Sequence, residues 1–293
     1  MLPSLALVVA AVASSGPVVS SGPVVSSGPV VSSGPVDPFE RASTPLLPTA
    51  AAPLAAASAA GIDSSNSVSL ETKDRQLLSA SYYEPKRRKS SPPAPAAMLL
   101  HDAGSSREEL AEMAAYLHKK GFAVLTLDLR GHGASATEDT NFEKADEKAR
   151  ENLWAMSTRD VDAATKFLLK QNGVHASNLS LVGVGAGAAL VVRRAAKDDN
   201  VRAIVLIDPA KESLGFDVSG GVGDLGGLPT LILAPKSSRD AADEIQASAH
   251  EVNEGLEFVE INALKSDSAT ILKDKRLKTC TSSWLRDQVM PKK

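Results

Sequence analysis

Apolar strands alternate with amphipathic helices over most of the chain, and this alternation constrains the fold more than any other feature. Short apolar runs such as AAMLLH, FAVLTLDL, NLSLVG, VRAIVLID, LPTLILA and LEFVEI are separated by polar stretches, most of which have helical spacing. Strands that are apolar on both faces belong to a parallel sheet covered by helices. The sequence therefore predicts an α/β fold with three α/β/α layers and a mostly parallel central sheet. An antiparallel hairpin around residues 73–75 is predicted to precede it.

The first helix shows the expected start and stop signals. In SSREELAEMAAYLHKKG, Ser105 and Ser106 are each followed three residues later by a glutamate, Glu108 or Glu109. This spacing predicts a capping box, in which the serine hydroxyl and the glutamate satisfy free backbone N–H groups. Gly121 is predicted to end the helix.

The N-terminal residues have a different composition from the rest. Residues 1–13 contain an apolar run that ends in Ala11-Val12-Ala13, the pattern of a secretory signal with its cleavage site. Residues 14–66 contain repeats of SSGPVV and then an alanine- and proline-rich stretch, which predict a disordered tether. We therefore expect an exported protein, attached to an envelope or a surface by its tether, with one folded domain at 67–293.

Composition excludes several classes of function. The net charge of −3 gives no electrostatic basis for a nucleic-acid surface. The single cysteine, Cys280, permits neither an internal disulfide nor a multi-cysteine metal site, and its helical spacing places it in the core. Asp208, Asp240 and Asp267 show no ligand spacing, so we predict no metal and no cofactor.

Three alternate glycines occur where a strand turns into a helix, in LSLVGVGAGAALVV at 179–192. Gly183, Gly185 and Ala188 match the dinucleotide-binding pattern G-x-G-x-x-G/A, and Asp208 follows at the distance expected for a ribose contact. Such a loop normally opens its domain, whereas two strand–helix units precede this one. Dinucleotide binding is therefore kept only as an alternative.

The segment LLHDAGSSREELAEMAAYLHKKGFAVLTLDLRGHGAS resembles the α/β-hydrolase family, most closely its dienelactone-hydrolase and serine-peptidase-like branches. The resemblance also covers the strand order and the C-terminal helix. In that family the glycine turn reads G-x-S-x-G and presents a nucleophilic serine. Here it reads Gly183-Val184-Gly185-Ala186-Gly187, so Gly185 stands at the position of the serine. Glycine tolerates the strained turn but carries no hydroxyl.

The resemblance implies where the other site residues lie. The acid position falls on Ser238 or Asp240, and the histidine position falls on Asp267. The N–H groups of Ala103 and Ala186 are expected to form an oxyanion hole, beside His101 and Asp102. Asp102, where the family often has glycine, would oppose negative charge in that hole.

No histidine is predicted to serve as a base at Gly185. His101 and His132 belong to structural motifs of the family, His118 and His250 lie on predicted helices, and His175 lies in a loop. Without a nucleophile and a base, the acyl-enzyme route cannot begin. We therefore predict that the protein binds an unidentified small ligand or protein without hydrolysing it. The alternatives are an ester or peptide hydrolase with a different site, and the dinucleotide-binding protein.

Overall fold

A computed structural model describes residues 66–86, 91–249, 256–261 and 268–290. The predicted signal sequence, almost all of the predicted tether, His250 and Asp267 lie outside these residues. Among the described residues, no helix is long and apolar enough to cross a membrane.

A mostly parallel sheet of eight strands forms the centre of the described structure, as the alternating pattern predicts. In spatial order the strands are β1-β2-β4-β3-β5-β6-β9-β10. Strand β2 runs antiparallel to both β1 and β4, and the other pairs in this sheet are parallel. The predicted hairpin is thus confirmed as β1–β2. The strands are β1 (Ser67–Glu71), β2 (Leu77–Tyr83), β3 (Ala94–Leu100), β4 (Ala123–Leu127), β5 (Val174–Val184), β6 (Val201–Ile207), the separate pair β7 (Glu212–Ser213) and β8 (Phe216–Asp217), β9 (Thr230–Pro235) and β10 (Leu256–Ile261).

Helices cover both faces of this sheet, and each face has its own apolar cluster. One cluster joins the sheet to α2–α6, and the other joins it to α1, α7 and α8. Cys280 is half-buried and packs against the second cluster. The helices are α1 (Ala111–Lys119), α2 (Glu147–Met156), α3 (Thr158–Leu169), α4 (Gly187–Ala195), α5 (Val218–Gly223), α6 (Arg239–Ala249), α7 (Ser268–Ile271) and α8 (Lys275–Val289).

The start of the first helix differs from the predicted capping box. A 3₁₀ turn at Arg107–Leu110 precedes α1, and the Ser106 hydroxyl accepts only a long bond of 3.4 Å from Glu108 N. The Ser105 hydroxyl is buried without a hydrogen-bond partner among the described residues. The cause is a long-range contact: Arg107 N donates to Asp128 Oδ1 at 2.7 Å and Arg107 Nη1 donates to Asp128 Oδ2 at 2.8 Å. This buried pair draws the turn towards the sheet.

Two further element boundaries determine where an aromatic residue and a histidine lie. Helix α2 starts at Glu147, where Asp146 Oδ1 accepts a bond from Ala149 N at 2.8 Å, so Phe142 lies in the preceding loop. The Phe142 ring is buried against His132, with ring centroids 4.3 Å apart. His175 lies within β5 rather than in a loop, because that strand begins at Val174.

The segment DLRGHGAS (residues 128–135) follows β4, and its polar side chains hold it to the core. Arg130 is 2% exposed, and its guanidinium donates to Asp160 Oδ1 at 2.6 Å and to Asp74 Oδ2 at 2.9 Å. Burial disfavours the charge, but the hydrogen bonds that Arg130 donates to Asp74 and Asp160 raise its pKa above the ordinary value. Ser135 Oγ donates to Asp128 O at 2.7 Å. These polar side chains hold the loop in place rather than facing a substrate.

Candidate functional site

The sharp corner between β5 and α4 is built from glycines for reasons of packing. A Cβ on Gly183 would lie 2.6 Å from Gly187 O, and one on Gly187 would lie 2.5 Å from His101 O. Gly185 has a φ of +51°, which side chains rarely adopt, and its N–H donates to Ile207 O at 2.9 Å. The alternating glycines are thus accounted for by close strand–helix contact without any bound ligand.

The carboxylate of Asp102 lies at this corner and accepts two backbone bonds. Asp102 Oδ1 accepts from Ala103 N at 2.8 Å and from Ala186 N at 2.7 Å. These are the two N–H groups expected to form the oxyanion hole. The structure brings them together, but they bind a carboxylate that belongs to the protein itself.

The same carboxylate fills the space above Gly185. A Cβ built on Gly185 would lie 2.2 Å from Asp102 Cγ and 2.2 Å from Oδ1. Carbon and oxygen atoms that are not bonded never approach so closely, so any side chain at Gly185 must displace the carboxylate. The missing serine and the added aspartate are therefore two parts of one packing arrangement.

The electrostatic environment of Asp102 is mixed. Partial burial raises the pKa of its carboxyl, and the charges of Asp208 and Glu109 act in the same direction. The hydrogen bonds from Ala186 and Ala103 act against this rise. The start of α4 adds the positive end of a helix dipole. The Asp102 carboxylate thus already places negative charge in this site, and it would repel a further anion.

His101 adjoins this site but is not available as a base. It is fully buried, and its Nε2 accepts a bond from Leu129 N at 3.1 Å. The proton must then sit on Nδ1, which donates to Asp102 O at 2.6 Å. Burial lowers the pKa of His101 to about 3. The ring is therefore neutral, with both nitrogens engaged, and it fixes the backbone at Asp102.

The other described histidines are His132, His118 and His175. His132 Nδ1 donates to Arg130 O at 2.9 Å, and burial lowers the pKa of its ring. His118 lies on α1 near Tyr83, where burial also lowers its pKa. His175 is exposed on β5. No hydrogen bond links these three rings to Asp102 among the described residues.

The two described acid candidates lie after β9, as their sequence positions require. Ser238 is half-buried in a short 3₁₀ turn, and Asp240 is exposed in the first turn of α6. Asp267, at the expected histidine position, lies outside the described residues. Within those residues no group of three or more histidine, cysteine, aspartate or glutamate side chains could hold a metal ion.

The dinucleotide alternative finds little support in this geometry. Gly185 N and Ala186 N, which would bind a pyrophosphate, are engaged by Ile207 O and Asp102 Oδ1. Asp208 does follow β6, with a φ of +52°, and its N–H donates to Leu233 O at 2.8 Å. A phosphate would have to displace one carboxylate and lie close to another.

Comparison with known proteins identifies the fold. A family model described as serine aminopeptidase, S33, matches residues 91–214. An esterase of Pyrococcus furiosus, Pf2001, superposes with a TM-score of 0.60 at 16% identity, over 76% of this chain and 91% of that one. A Klebsiella pneumoniae protein assigned as a dienelactone hydrolase superposes with a TM-score of 0.59 at 14% identity, over 77% and 99% of the two chains. No curated protein matches the sequence. The protein thus has the α/β-hydrolase fold, with its central part similar to the serine aminopeptidases of family S33.

Proposed function

We propose that this protein uses the α/β-hydrolase fold to bind a ligand or partner and performs no acyl transfer at the Gly185 corner. The observation that carries the proposal is the position of the Asp102 carboxylate. It occupies the space of a nucleophilic side chain and engages both N–H donors that would stabilise an oxyanion.

Acyl transfer by this fold needs three things at the corner: a nucleophile, a base and an anion hole. Gly185 supplies no hydroxyl, and the adjacent His101 has no nitrogen free to accept a proton. The hole contains a carboxylate, which would repel the negative charge that develops on a substrate carbonyl oxygen. Gly185, His101 and Asp102 thus leave the nucleophile, the base and the anion hole, respectively, unavailable.

Export of the tethered protein is a separate part of the proposal. It is supported by the apolar run of residues 5–13 and by the repeats that follow it. Expression with the native N-terminus in a secreting host, followed by N-terminal sequencing, tests this part. We expect a mature chain that begins at Ser14, and an uncleaved chain retained inside the cell would contradict export.

Hydrolysis of p-nitrophenyl butyrate by purified protein tests the proposed lack of acyl transfer. We expect wild type to hydrolyse the ester no faster than buffer does. The control variant Asp199→Gly, which replaces an exposed aspartate, should give the same rate. Gly185→Ser alone should not create an efficient esterase, because no base activates the new hydroxyl. Strong activity of Gly185→Ser would show that a base lies at the site. Wild-type turnover that a Gly185 substitution abolishes would overturn the proposal.

The alternative of a hydrolase with a different site rests on the family-model match. The same assay tests this alternative. Wild-type turnover that survives Gly185→Ala and Asp102→Gly would show that hydrolysis takes place at another site. The match covers residues 91–214, which include Asp128, Arg130 and Ser135. Those three side chains are engaged in the structural network described above. We therefore favour binding without hydrolysis.

A further inference from the structure

A second concave site lies between α4 and the segment that follows β6. It is open to solvent and has a volume of about 400 Å³, and none of its lining residues belongs to the Gly185 corner. Val192 and Ala196 line the α4 wall, and Phe216 and Gly221 line the opposite wall. The small residues keep the two walls close: a Cβ on Gly221 would lie 2.7 Å from Val192 Cγ1. We refer to this space as the α4 groove.

The walls of the α4 groove carry opposite charges. Arg193 of α4 and Lys197, in the turn just after α4, line one wall, while Asp217 and Asp224 line it from the facing segment. In the part of the chain that the structure describes, none of these four side chains forms a salt bridge. No charged nitrogen on one wall is therefore within salt-bridge distance of a carboxylate oxygen on the other, which leaves the four groups available to the charges of a ligand.

Local contacts hold Arg193 and Asp217 in position. Arg193 lies in the last turn of α4 and Lys197 in the turn that follows the helix, and both line the same wall of the groove. The Arg193 guanidinium lies 5.2 Å from the centre of the Phe216 ring, a contact that uses none of its N–H donors. Asp217 Oδ1 accepts a bond from Gly220 N at 2.8 Å, which fixes that carboxylate and leaves its other oxygen available.

We propose that the α4 groove binds a zwitterion, namely a short peptide or amino acid with free ends. Its carboxylate bonds Arg193 and Lys197, its ammonium group faces Asp217 and Asp224, and its apolar side chain packs on Phe216. The groove falls within the volume range of small-molecule sites. This site is independent of the function proposed for the Gly185 corner, because the two share no residue.

Isothermal titration calorimetry of the full chain with the dipeptide Leu-Leu tests the proposal. Blocked dipeptides are the informative comparison: N-acetyl-Leu-Leu lacks the ammonium group, and Leu-Leu-amide lacks the carboxylate. We expect each block to weaken binding about tenfold or more, the effect of losing one charge-assisted contact. Free leucine in a parallel titration distinguishes an amino-acid site from a peptide site. Equal affinity for free and blocked dipeptides, or no binding of Leu-Leu and leucine, would overturn the proposal.

Two charge-removing variants assign each end of the ligand to its wall. Arg193→Gln with Lys197→Gln should abolish the preference for a free carboxylate while keeping the preference for a free ammonium group. Asp217→Asn with Asp224→Asn should do the reverse, and asparagine preserves the cap that Asp217 gives α5. A variant pair that leaves both preferences intact would contradict the assignment.

Two controls show that the effects belong to the groove. Arg202→Gln with Lys170→Gln makes the same charge change at exposed positions elsewhere, and it should leave binding unchanged. Ala196→Leu should fill the groove and abolish binding, whereas Ala155→Leu at an exposed position of α2 should not. Equal losses in the groove variants and their controls would refute a site in the groove.

Discussion

Replacing Gly185 by alanine tests whether the Asp102 carboxylate fills the corner. The left-handed φ of +51° costs a non-glycine residue about 1–2 kcal/mol. The new Cβ must also displace the carboxylate, which lies 2.2 Å from it. The loss of the two N–H bonds to the Asp102 carboxylate costs about 1–3 kcal/mol more. We therefore expect Gly185→Ala to lower the free energy of unfolding by about 2–5 kcal/mol, the sum of these two effects.

A double-mutant cycle with Asp102→Gly separates the two contributions. Asp102→Gly alone loses the same two bonds, so it should cost about 1–3 kcal/mol. In the double variant the new methyl group meets no carboxylate, and only the backbone strain is added. The cost of the double variant should then fall short of the sum of the single costs by about 1–3 kcal/mol.

Urea denaturation followed by tryptophan fluorescence measures the four free energies of unfolding. Gly226→Ala is the matched control, because Gly226 has a φ of +60° and nothing within 4 Å of its Cβ position. It should show the backbone strain alone. If the two substitutions at the corner are additive within about 0.5 kcal/mol, or if Gly185→Ala costs no more than Gly226→Ala, the reasoning is refuted.

Two other predictions concern a partly buried carboxylate, Asp102, and a fully buried one, Asp160. Asp102→Asn keeps an acceptor for both N–H groups and removes the charge. Because the folded chain raises the pKa of Asp102, its stabilising contribution is complete below the ordinary value of 3.8 and is lost as the pH rises through the folded-state pKa. Urea denaturation between about pH 4 and 7 should therefore show the variant gaining on wild type as the pH rises, and a constant difference would contradict this. Asp160→Asn should cost about 3–5 kcal/mol in thermal unfolding, because it breaks the buried pair with Arg130. Asp243→Asn, in an exposed pair, should cost less than about 1 kcal/mol, and equal costs would refute the distinction.

The sheet could be predicted from the sequence because its signals are local. Each parallel strand is an apolar run long enough to be buried on both faces, and the polar stretches between the strands have helical spacing. The strands β3, β4, β6 and β9 lie where those runs predict them, whereas β5 begins four residues before its run, at Val174. The antiparallel hairpin is equally local, since one turn separates its two alternating segments.

The arrangement at the corner depends on contacts that the sequence does not display. Ala186 N and Asp102 Oδ1 are 84 residues apart in the chain. An aspartate in place of glycine and a glycine in place of serine are each visible in the sequence, but only their spatial contact shows that one compensates for the other. The early 3₁₀ turn at Arg107 has a similar origin, because its partner Asp128 lies on another loop.

Treatment of the wild-type protein with a fluorophosphonate, followed by intact mass spectrometry, tests the central claim most directly. This reagent forms a covalent adduct with a serine that is activated by a base. With Gly185 at the corner and Asp102 in the anion hole, we expect an unchanged mass, equal to that of a heat-denatured control. A stoichiometric adduct on a serine of the folded protein, absent from the denatured control, would contradict the account.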